Sequence, residues 1–169
     1  MSEATIVSVD EIMQLVKSND LLKAEDLALS LIKKDSNDSD ALYALAVIHR
    51  MNNKLEESLE TLSQVIKLKP NFGRAYQERG TIYFHQNRND EAINAYRLAL
   101  AHNNSLVMSL RTLAGLLGKR GELIEANALL ETYKKLSKLP PELLAVRNMM
   151  AEKRYLKAEN ICRAFMLKN

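Results

Sequence analysis

Residues 73–104 read GRAYQERGTIYFHQNRNDEAINAYRLALAHNN. Tyr76, Gly80 and Tyr83 follow one another at steps of four and three, and Ala92, Tyr96 and Ala99 do the same. Such steps mark one face of a helix. Between the two sets lies QNRND, residues 86–90, a polar run rich in turn-forming side chains. The stretch is therefore predicted as helix, short turn, helix. Gly80 and Ala92 are expected to let the two antiparallel backbones approach where larger side chains would clash.

The pattern recurs on both sides. Ala24, Ser58, Ala92 and Ala126 stand 34 residues apart, and Ala28, Leu62, Tyr96 and Leu130 share the register four later. Upstream, Leu42, Leu45, Ala46 and His49 take the first-helix positions, Ser58, Leu62 and Val65 the second, and Pro70 ends the unit. Downstream, Leu110, Leu113, Ala114 and Leu117 precede a turn at Gly121, and Ala126, Leu130 and Tyr133 follow it. The first unit is degenerate, with Glu11 where the second and fourth carry Leu45 and Leu113, as expected of a terminal repeat. The last opens on Pro140 and Pro141 and places Ala158 only 32 residues after Ala126, so a loop or helix is two residues shorter and a changed tilt is expected. The prediction is an all-α fold of about five antiparallel helix pairs in a single domain, 1–169. Its repeats are near 5–38, 39–72, 73–106, 107–138 and 139–169.

Composition narrows the function. The chain has 169 residues, 47% hydrophobic and 27% charged, an ordinary globular balance. No apolar run is long enough for a membrane helix, and the acidic N-terminus does not look like a secretory signal, so a cytoplasmic address is expected. Cys162 is the single cysteine, which excludes internal disulfides and cysteine-rich zinc sites, and reads as an apolar filler. No phosphate-binding loop, metal-ligand spacing or nucleophile with a base is present, so no catalytic residue, cofactor or metal is expected. His49 reads as a satisfied interior histidine and His102 as a contact to a helix C-terminus. Residues 1–38 balance at −4 and residues 107–138 and 139–169 at +3 each. That asymmetry can steer a polar partner, but without a basic run or recognition motif nucleic acid is not expected.

The ordered residues Tyr76, Gly80, Tyr83, Ala92, Tyr96 and Ala99, with Leu45, Ala46, Leu62 and Pro70 in the preceding unit, resemble the tetratricopeptide-repeat signature. The resemblance covers about residues 5–169. It implies a right-handed solenoid whose first helices line a concave groove for a peptide or partner protein. By that register the groove would show Tyr43, Val47, Arg50 and Met51, then Arg74, Gln77, Thr81, Phe84 and His85. Met108, Arg111, Gly115 and Lys119 would follow, with Arg147 and Met150 extending it. The family's two-carboxylate clamp needs Lys and Asn at paired positions. Here those positions hold Tyr43/Val47, Gln77/Thr81 and Arg111/Gly115, so the clamp is missing. The last unit, with PPELLA and LKAENICRAFMLKN, more loosely resembles the N-terminal repeat region of bacterial tetratricopeptide-containing sulfotransferases.

The expected function is a non-catalytic protein-interaction scaffold, whose groove cations and apolar anchors favour a partner segment with acidic and apolar side chains. One alternative is the repeat portion of a larger sulfotransferase-like enzyme, its catalytic domain outside this chain. Another is a structural or self-associating module. Ile161, Cys162, Phe165 and Met166 would accept a neighbour, which suggests either a homodimer through the C-terminal helix pair or a chain that continues.

Overall fold

The computed structural model describes residues 8–167. The expected start of the first repeat, residues 5–7, lies outside the described residues, as do residues 168–169. Ten α-helices and no strand occur among the described residues. They are α1 (Val9–Lys17), α2 (Leu21–Lys34), α3 (Ser39–Met51), α4 (Leu55–Leu68), α5 (Gly73–His85), α6 (Asn89–His102), α7 (Val107–Lys119), α8 (Leu123–Leu136), α9 (Pro141–Ala151) and α10 (Tyr155–Met166). The chain divides into two compact units, Met1–Pro70 and Asn71–Asn169.

Each helix pair is closed by the same turn. Asn19, Asn53, Asn87, Gly121 and Lys153 have positive φ, between 58° and 81°. In the second pair the Asn53 N–H donates to the Arg50 carbonyl, and the Lys54 N–H reaches back to His49 at 2.8 Å. The third pair repeats this with Asn87 to Phe84 and Arg88 to Tyr83, and the last with Lys153 to Met150 and Arg154 to Met149. These two bonds are the Schellman termination, which satisfies carbonyls left over at a helix end by sending one residue into the left-handed region. Asn and Gly tolerate that conformation, whereas a lysine with its Cβ pays for it in strain.

In the first unit α1 packs on α2 and α3, α2 on α3, and α3 on α4. The small-residue register is fully buried here, at Ala24, Ala28 and Ser58. Ser58 stands in for alanine because its Oγ donates to the Ala46 carbonyl at 2.7 Å, which removes the cost of burying a hydroxyl. His49 is mostly buried, as expected, but it is not fully satisfied: its buried Nδ1 finds no hydrogen-bond partner among the described residues. Its Nε2 lies 3.6 Å from Glu25 Oε1, which also accepts from Lys54 Nζ at 3.3 Å.

In the second unit α5 packs on α6, α6 on α7, α7 on α8, and α9 on α10. One core cluster joins Ala92, Ile93 and Tyr96 of α6 to Leu113, Leu116 and Leu117 of α7 and to Ala126 of α8. Outside it, Arg97 on α6 clamps Glu125 on α8 with bonds of 3.1 and 2.7 Å and reaches Glu122 at 3.1 Å. The Arg97 bond holds the Glu125 carboxyl below the usual carboxylate range. The atoms nearest the open side of Gly80 belong to the Tyr96 ring, one turn beyond Ala92. A Cβ at Gly80 would stand 2.9 Å from two atoms of that ring. Tyr96 is 1% exposed, whereas Tyr76 is half-buried and stacks on His102 at 5.2 Å, and half-buried Tyr83 lies under the Arg88 guanidinium at 4.5 Å. The two residues missing from the last repeat come from a first helix: α9 has 11 residues where α3, α5 and α7 have 13.

Two stability effects are expected. Gly80→Val drives a branched side chain into the Tyr96 ring and should cost about 1–3 kcal/mol, read from the midpoint of chemical denaturation. Lys153→Asn relieves the left-handed lysine and should raise stability by about 1 kcal/mol in the same measurement.

Candidate functional site

A helix repeats its face every 3.6 residues, so Arg74, Gln77, Thr81 and Phe84 form one stripe on α5. Met108, Arg111, Gly115 and Lys119 form another on α7. The second unit brings parts of the two stripes together. Phe84 shares a cavity of about 370 Å³ with Met108, Arg111, Thr112, Gly115 and Lys119. Phe84 and Met108 are 38% and 60% exposed, unlike core side chains of their type. A Cβ built at Gly115 meets nothing within 4 Å, so that part of the helix face is open.

The floor between the stripes is fixed by polar contacts. Ser109, fully buried on α7, donates from Oγ to Gln77 Oε1 at 3.0 Å. The Thr81 hydroxyl donates to the Gln77 carbonyl at 3.0 Å and lies 3.2 Å from the Tyr96 hydroxyl. Gln77 and Thr81 are thus tied into the framework. Arg111 and Lys119 are exposed and hold no hydrogen bond or ion pair among the described residues. Two cations without carboxylates beside exposed apolar side chains make a surface for acidic and apolar groups.

The other expected groove residues are placed differently. Arg74 is engaged already: its guanidinium makes a bidentate pair with Glu152, the residue that caps α9. His85 is exposed, its ring edge-on to Phe84 with centroids 6.0 Å apart. Exposed Arg147 donates from Nε to Ser105 Oγ at 3.3 Å. In the first unit, Tyr43 and Val47 are buried at 8% and 5% exposure, so they present little surface to a ligand. Arg50 is half-buried and Met51 is exposed. Tyr43 and Val47 alternate with buried Ala41, Leu42, Ala44, Leu45, Ala46 and Ile48, so α3 is covered nearly all round.

Glu152, Ser109, Asn103 and Asn148 were not marked by the sequence pattern. Asn103, 2% exposed, donates from Nδ2 to Asn148 Oδ1 at 3.0 Å. The partners in these contacts are 78, 32 and 45 residues apart, and no periodicity links them. Among the described residues no group of three or more His, Cys, Asp or Glu could hold a metal ion, and no helix is long and apolar enough to cross a membrane. Cys162 is half-buried.

The tetratricopeptide-repeat family matches this chain with two models, one over residues 73–106 and the other over residues 27–60. The first interval is the repeat that opens at α5. No curated protein matches by sequence. Among solved structures, a crystal structure of MamA superposes with a TM-score of 0.61 at 18% identity, covering 90% of this chain and 95% of that one. MamA 41-end from Desulfovibrio magneticus RS-1 gives a TM-score of 0.63 at 17% identity, covering 77% and 73%. Likeness at that identity concerns the fold. The looser resemblance to sulfotransferase repeat regions is not borne out, since the matching models are tetratricopeptide repeats.

Proposed function

From the premise that this chain is a tetratricopeptide-repeat protein, we propose that it is a non-catalytic interaction scaffold whose second unit receives a partner segment between α5 and α7. The observation that carries this reading is the cavity where exposed Phe84 and Met108 adjoin Arg111 and Lys119. A partner segment with carboxylates and apolar side chains suits that surface. Its apolar groups would cover Phe84 and Met108, and its carboxylates would meet cations that have no carboxylate of their own among the described residues. Methionine at the rim adapts to irregular partners.

The test is a fluorescence-anisotropy titration with a fifteen-residue peptide carrying Glu and Leu at helical i,i+4 spacing. Wild-type protein should bind it, more weakly as salt rises, because exposed charges are screened. The double variant Arg111→Glu with Phe84→Ala should lose at least about tenfold in affinity, about 1.4 kcal/mol. Equal binding by that variant would remove the reading.

A second reading is self-association through the C-terminal pair. It is favoured by Tyr155, Leu156 and Met166 of α10 and by Leu167 just after it, which are 57%, 72%, 69% and 89% exposed. Sedimentation velocity should then show a coefficient that rises with concentration, and a constant monomer value would exclude it.

A further inference from the structure

The α5 stripe already holds one carboxylate of the chain itself, at Arg74, outside the lining of the Phe84 cavity. On the α5 stripe, Arg74 lies ten residues before Phe84, about 15 Å along the helix. Arg74 Nε and Nη2 each donate to one oxygen of Glu152. The Glu152 side chain is 4% exposed, and Arg154 Nη1 lies 3.8 Å from its Oε2. We propose that α9 is a built-in competitor at the Arg74 end of the groove, held there by Glu152, which an acidic partner segment must displace to occupy the full stripe. This rests on the groove reading above and adds its regulation.

The way α9 is held suits displacement. No residue of α9 is fully buried; its apolar side chains Leu143, Leu144, Val146 and Met149 are only half-buried, so its apolar anchoring is weaker than that of α6 to α8. Three hydrogen-bonded contacts tie α9 to the α5–α7 region: Glu152 to Arg74, Asn148 to Asn103, and Arg147 to Ser105. Removing one member of a buried ion pair is costly because the other charge is left alone. Exchanging one carboxylate for another avoids that cost. An incoming carboxylate keeps Arg74 paired, while the departing Glu152 regains water. Arg111 and Lys119 stay open meanwhile, so a ligand can land at the Phe84 end first and then reach Arg74. The turn that follows Glu152 is also the one built on a left-handed lysine, Lys153, which is less well suited to it than the Asn or Gly of the other turns.

The test uses the full chain and the same Glu/Leu peptide. Amide hydrogen exchange is followed in α9 and, as internal reference, in α7. Addition of the peptide to wild-type protein should raise exchange in α9 but not in α7. Glu152→Gln, which keeps shape and removes charge, should raise α9 exchange without peptide and bind the peptide about tenfold tighter. Glu152→Asp, which keeps the charge on a shorter side chain, should fall between the two and shows that the effect follows charge rather than misfolding. Two results would overturn the proposal: α9 equally protected with and without peptide, or unchanged peptide affinity in Glu152→Gln. Failure of the groove reading looks different, because it appears as insensitivity to Arg111→Glu with Phe84→Ala, residues that Glu152 does not touch.

Discussion

The ring of Tyr96 against the bare backbone of Gly80 is the contact from which the second unit is built. A tyrosine that is 1% exposed needs a partner helix close enough to cover it, and a side chain at position 80 would hold that helix away. With the helices that close, Ala92 and Ile93 reach the next pair and join Leu113, Leu116, Leu117 and Ala126 in one core. Close-packed interiors leave little slack, so the spacing set at one crossing passes to its neighbours. The stripe on the other side of α5 is thereby fixed in place, and with it the position of Phe84 opposite α7.

The small residues have different physical roles under one rule. Ala24, Ser58, Ala92, Ala126 and Ala158 are all buried, yet Ser58 stays in register only because it donates to the Ala46 carbonyl. The turns behave alike. Asn19, Asn53, Asn87 and Gly121 occupy the same left-handed position, and the fifth turn reaches it with Lys153 after a helix two residues shorter. The last pair departs from the pattern in length, in turn chemistry and in the absence of any fully buried side chain on α9. It is also the pair whose polar groups return to Arg74, Asn103 and Ser105. Hydrogen-bonded contacts to distant residues thus set α9 apart from the fully buried apolar core of α6, α7 and α8.

The groove owes its character to what is left unpaired as much as to what is present. Arg97 and Arg120, on the outer clamps, are matched by Glu122, Glu125 and Asp90. Arg111 and Lys119 are not matched among the described residues, and Arg74 is matched from within by Glu152.

The succession of helix pairs and the turn inside the third and fourth pairs were legible in the sequence because they rest on local rules. The three-four spacing around Tyr76, Gly80 and Tyr83 demands a helix, and QNRND cannot continue one. The left-handed conformation of Asn19, Asn53, Asn87 and Gly121, spaced 34 apart, came from the backbone rather than from the sequence reading, which marked only the polar run at 86–90 and Gly121 as turns. Tertiary structure decided the rest. It set the Tyr96 ring against Gly80, buried Tyr43 and Val47, and gave Arg74 a partner 78 residues away. A period describes which face a residue is on, but which distant side chain meets that face depends on how helices stack, and no local spacing carries that information.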